Sequence, residues 1–126
     1  MNQGKIRSFT DILAWQAGHR VVLSIYKATN IFPKSEQFSL TDQIRRAAVS
    51  ITSNIAEGFS RASYKEKIQF YFISLGSLTE VQNQLLIAKD LGYLKQEDFK
   101  DIANETIVVS KLTNGLIKAS KKALNS

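Results

Sequence analysis

Proline occurs once in this chain, at Pro33 in the stretch TNIFPKSEQF. A proline inside a helix removes a hydrogen bond and clashes with the preceding turn. With one proline, and glycines placed mainly at candidate helix ends, helical stretches can run long. Start signals divide the chain. Ser8 followed by Asp11 has the spacing of a capping box and opens a helix over about residues 9–29. Ser39 followed by Asp42 opens a second over about 40–57, with Gly58 suited to the left-handed position after its end. Ser63 followed by Glu66 opens a third over about 64–90, which Gly92 ends, and an acidic cluster after Gln96 leads a fourth over about 96–124. The runs RVVLSIY and TIVVSKL are rich in β-branched residues but lie inside longer helical patterns, so they read as helix.

Four helices joined by short connections predict an all-α fold, an antiparallel up-down-up-down four-helix bundle. The 126 residues form a single domain, 1–126, around one core. No apolar run approaches the roughly 20 residues of a membrane span. The amino terminus MNQGKIRSFTDILAW has no apolar stretch with a cleavage site, so a cytoplasmic protein is expected. The chain has no cysteine and one histidine, His19, which excludes disulfides, thiolate metal sites, a cysteine nucleophile and a histidine-rich metal site. No phosphate-binding glycine loop occurs, SLGSL lies within a helical pattern unsuited to a nucleophile elbow, and no cofactor is expected. Gly76 in that stretch is expected to permit a close helix approach, and His19 to be a surface or interface imidazole.

The second helix has the clearest buried face. At 100° per residue Leu40, Ile44, Ala47, Ala48, Ile51 and Ile55 collect on one side. In the first helix Leu13, Ala17, Val21, Ile25 and Ala28 form one apolar row, and Ile12, Trp15, Val22 and Tyr26 form another beside it. The third places Ile68, Phe72, Leu75, Leu78, Gln82, Leu85 and Leu86 on one side, with Phe70 and Ile73 pointing elsewhere. This apolar surface exceeds what one four-helix core requires. A homo-oligomer accounts for it; thicker packing within a monomer is the alternative.

A polar row of Gln43, Arg46, Ser50, Asn54 and Glu57 is placed beside the apolar face of the second helix. Ser77, Glu80 and Gln84 form a complementary row on the third. A buried arginine needs an acidic or carbonyl partner. Glu57 is about three turns from Arg46 along the helix, so Glu80 is the expected direct partner and Asn54 a bridge. Gln43, Arg46, Asn54, Glu57 and Glu80 are therefore expected to form a structural network. Acid–base chemistry by the two carboxylates lacks a nearby nucleophile, metal or histidine.

The net charge is +6, and residues 1–67 carry ten Lys and Arg against five Asp and Glu, while residues 68–126 carry seven against six. The C-terminal lysines follow the acids in the order that suits a helix dipole. The basic first half favours an acidic partner such as RNA or DNA. Arg45, directed away from the apolar face, is expected to join Arg20, Lys27, Arg61, Lys65 and Lys67 in a surface that contacts phosphates; scattered solubilising charge is the alternative. Tyr64, Phe70 and Tyr71 are near enough in sequence to stack on bases, or serve the core.

FP with the following Glu36, QIRRAAVSI, NIAEG and GSLTE together mark a resemblance over about residues 9–94. In this stretch the chain resembles the small bacterial four-helix-bundle proteins encoded in intervening sequences of large-subunit ribosomal RNA genes. The resemblance implies a left-handed up-down bundle and a ring-like homo-oligomer, a pentamer, with no established enzyme activity. It also implies suspected binding of RNA or other nucleic acid, and kinship with a pentameric accessory of a reverse transcriptase. The expected function is a non-catalytic homo-oligomeric module that binds structured RNA through a basic surface. The alternative is a protein-binding scaffold or accessory subunit.

Overall fold

The computed structural model describes residues 5–126, so the first four residues of the expected domain lie outside the described residues. Four helices carry the chain: α1 (Leu13–Thr29), α2 (Leu40–Ser60), α3 (Tyr64–Asp90) and α4 (Gln96–Leu124), with no strand among the described residues. Short 3-10 turns at Phe9–Asp11 and Lys34–Glu36 precede α1 and α2.

The start signals work differently at each helix. The Ser8–Asp11 capping box forms, but it caps the 3-10 turn. Extended Ile12 (φ −76°, ψ 123°) then breaks the backbone, and α1 begins at Leu13. Ser39 makes no side-chain cap. The Glu36 carboxylate reaches forward instead and accepts from the Leu40 N–H at 3.3 Å. Ser63 caps α3 by accepting from the Glu66 N–H.

Gly58 does not end α2. The helix continues to Ser60, and the left-handed backbone lies at Gly92 (φ 80°) after α3. There Gly92 donates to the Lys89 carbonyl and Tyr93 to the Ala88 carbonyl, the paired bonds that satisfy a helix C-terminus when a glycine can take positive φ. Tyr93 then packs on Phe32, and its hydroxyl donates to Glu36 at 3.1 Å, which ties the α3–α4 turn to the α1–α2 connection. That bond to a carboxylate, with burial, raises the Tyr93 pKa.

Each helix packs on its sequence neighbour, and α1 also packs on α4. Contacts between α2 and α3 run in opposite sequence directions: Ser50 meets Ser77, Ile51 meets Ser74, and Gly58 meets Tyr71. Between α3 and α4, Gln82 bonds Thr106 while Lys89 lies over Phe99.

The core takes Leu40, Ile44, Ala47, Ala48, Ile51 and Ile55 from α2, as the apolar period predicts. From α1 it takes Ala14, Ala17, Val21 and Ile25, whereas Leu13 is exposed. On α3 the expected face is rotated: Tyr71, Ser74, Leu78, Val81, Leu85 and Ala88 are buried, and Phe72 and Leu86 face outward. Apolar residues lie on all sides of α3, so its period could not select a face. A row of Thr106, Thr113 and Ser120 is buried on α4, and Thr106 and Ser120 return their hydroxyls to carbonyls of their own helix.

Candidate functional site: the α2 polar edge and the surface cations

A polar seam does join α2 and α3, but serines make it. The Ser50 and Ser77 hydroxyls are 2.7 Å apart. Asn54 donates Nδ2 to the Ser50 carbonyl at 2.8 Å and to its Oγ at 3.0 Å. Ser74 donates to the buried Ile51 carbonyl at 2.8 Å. Gln84, expected with Ser77 and Glu80 in the row facing α2, is buried, and its Oε1 has no hydrogen-bond partner among the described residues.

The charged members of the expected network fall outside this seam. Arg46 donates Nε to Asp42 Oδ2 at 3.0 Å, one turn back on the same helix, with 79% of its side chain exposed. Glu57 pairs with Arg61 at 3.1 Å, again one turn apart, while Gln43 and Glu80 are exposed. The expected Arg46–Glu80 bond is thus replaced by local pairing. Measured from the middle of the buried face, Arg46 lies about 150° around α2, close to its solvent side. The spacings Asp42 to Arg46 and Glu57 to Arg61 were a readable signal for these pairs.

Arg45 is the arginine that ties helices together. Its Nε donates to Thr29 Oγ1 at 2.8 Å and its Nη2 to Asn30 Oδ1 at 3.3 Å. Its guanidinium also lies 4.7 Å from the Tyr26 ring centroid. Arg45 sits about 110° from the middle of the buried face, on the flank that α1 covers.

The other expected phosphate ligands divide into two groups. Arg61, paired with Glu57, also covers the Phe70 ring at 4.6 Å. Lys67 donates to the Phe59 carbonyl at 2.6 Å, and burial lowers its pKa. Arg20, Lys27 and Lys65 are exposed. Of the aromatics, Tyr71 is core, and burial raises its pKa; Phe70 is half-buried beneath Arg61, and Tyr64 is exposed. His19 stacks on Trp15 with ring centroids 4.8 Å apart, at the protein surface.

Open concavities flank α1. One of about 470 Å³ against α4 is lined by Lys27, Ile31, Asp98, Asp101 and Glu105, among others. A second, of about 640 Å³, lies on the α1/α2 side around Tyr26, Arg45 and Arg46. Among the described residues, no group of three or more His, Asp or Glu side chains is placed to hold a metal ion, and no helix is long and apolar enough to cross a membrane.

Residues 10–115 match the family described as 23S rRNA-intervening sequence protein. The chain belongs to that family. The match extends beyond the stretch that carries the resemblance, through most of α4. A solved protein of unknown function from the S23 ribosomal protein family of Bacteroides thetaiotaomicron VPI-5482 has the same fold. Its TM-score is 0.78 at 23% identity, over 86% of this chain and 98% of the other. No functionally curated protein matches.

Proposed function

We propose that this family member is a non-catalytic up-down-up-down bundle that assembles into a homo-oligomer, a pentameric ring by its resemblance. In this reading the assembly binds structured RNA or other nucleic acid through exposed cations. The observation that carries assembly is α3, which buries Leu78, Val81 and Leu85 yet leaves Phe72, Ile73, Leu86 and Ile87 between 41% and 51% exposed. A helix apolar on every side is suited to burial on every side. Leu13, Leu23 and Ile31 on and after α1, and Ile107 and Val108 on α4, are apolar and exposed as well. Light scattering on the eluting protein is expected to give a mass several times the 14.1 kDa of one chain, and a monomer would overturn the assembly.

The net charge of +6 and the exposed Arg20, Lys27 and Lys65 support a nucleic-acid partner. Affinity for a labelled RNA stem-loop is expected to fall steeply with rising salt, because counterions released on binding gain less entropy in more concentrated salt. Absent or salt-independent binding would overturn this reading. A protein scaffold is the second reading, favoured by the engagement of Arg45, Arg61 and Lys67 within the protomer. A stoichiometric protein partner retained from a nuclease-treated lysate would support it.

A further inference from the structure

Arg45 and Arg46 point apart on α2, yet both line the open concavity of about 640 Å³ on the α1/α2 side, together with Tyr26, Asp42 and Ser53. Each guanidinium is anchored through Nε, Arg45 on Thr29 and Arg46 on Asp42. Anchoring at Nε leaves terminal nitrogens for a ligand. Among the described residues, neither terminal nitrogen of Arg46 makes a hydrogen bond, and Arg45 uses only Nη2. The Tyr26 ring further restricts the Arg45 guanidinium. A side chain held this way loses less rotamer freedom on binding, so its hydrogen bonds yield more net affinity.

We propose that Arg45 and Arg46 form a phosphate-binding fork that receives the phosphodiester backbone of RNA, with Tyr26 and Ser53 at its margin. The fork rests on the nucleic-acid reading above and names its contact site. A phosphodiester is anionic and presents oxygens that accept from guanidinium nitrogens. Asp42 tempers the site: it orients Arg46 and leaves the two arginines and one carboxylate with a net charge of +1.

The test measures fluorescence anisotropy of a fluorescein-labelled RNA stem-loop at low and rising salt, with oligomer mass recorded on the same samples. Arg46→Gln is expected to weaken binding about tenfold and reduce the salt slope by about one. Asp42→Asn keeps an oxygen that can accept from Arg46 Nε but removes the negative charge, and is expected to tighten binding, a gain that misfolding cannot produce. Lys118→Gln, on the exposed side of α4, is expected to stay within roughly twofold of the unaltered protein. If the protein binds RNA but Arg46→Gln and Lys118→Gln act alike, the fork is overturned and the nucleic-acid reading stands. No RNA binding at low salt overturns both. Weakened binding with a change of oligomer mass assigns the concavity to contact between copies and overturns the fork.

Discussion

Gly58 of α2 lies so close to Tyr71 of α3 that a Cβ at position 58 would stand 2.7 Å from the Tyr71 Cε1 atom. The glycine serves helix–helix approach, and the interior position of Tyr71 depends on it. A methyl there must displace a buried ring, so Gly58→Ala is expected to destabilise the protein by about 1–3 kcal/mol in urea unfolding. Gly76 is the opposite case, since an added Cβ would meet nothing within 4 Å. Gly76→Ala should stabilise by about 0.5–1 kcal/mol through helix propensity. Equal effects at the two sites would contradict the packing at Gly58.

Arg45 and Arg46 should separate in stability. Arg45→Ala removes the bonds to Thr29 and Asn30 and the contact with Tyr26, and is expected to lower stability by about 1–2 kcal/mol. Arg46→Ala removes a solvent-exposed pair and should change it by no more than about 0.5 kcal/mol. The same urea series checks both, and a larger loss at Arg46 would place it in a buried network after all.

A double-mutant cycle isolates the α2–α3 seam. Ser50→Ala and Ser77→Ala each leave a half-buried hydroxyl without its partner across the interface, at about 1 kcal/mol apiece. The double variant should cost less than the sum, with a coupling of about 0.5–1.5 kcal/mol. Strict additivity would mean that the two hydroxyls do not interact in solution.

Acid should open the turn before α1. Asp11 accepts from the N–H groups of Arg7 and Ser8 at 2.9 and 3.2 Å, which hold its pKa below the ordinary 3.8. A carboxylate with a depressed folded pKa contributes stability above its unfolded value, lost as pH falls through the folded one. The amide resonances of Arg7 and Ser8 should therefore titrate together below pH 3.8 while the helical signal persists. Asp11→Asn should abolish that titration, and a midpoint at or above 3.8 would contradict the capping.

The four helices were legible because their determinants are local. One proline, the Ser63 cap, Gly92 and the 3.6-residue period of α2 act within a turn or two of themselves. At the polar edge the row Ser50, Asn54 and Ser77 was readable, but the partners of Arg46 and Glu57 were assigned across the bundle when a residue four positions away was nearer. Local pairing prevails on an exposed face because the acid is already in reach and no desolvation is required.

The sequence by itself determined an all-α chain, its helix spans to within a few residues, and the inward face of α2. It could not orient α3, where apolar residues lie all around, nor say which flank of α2 α1 would cover. Those are relations between helices, and they alone set Tyr71 against Gly58 and drew Arg45 onto Thr29 while Arg46 stayed in solvent. Periodicity reports how residues are arranged around one helix axis, whereas burial of a flanking residue depends on where the neighbouring axis lies.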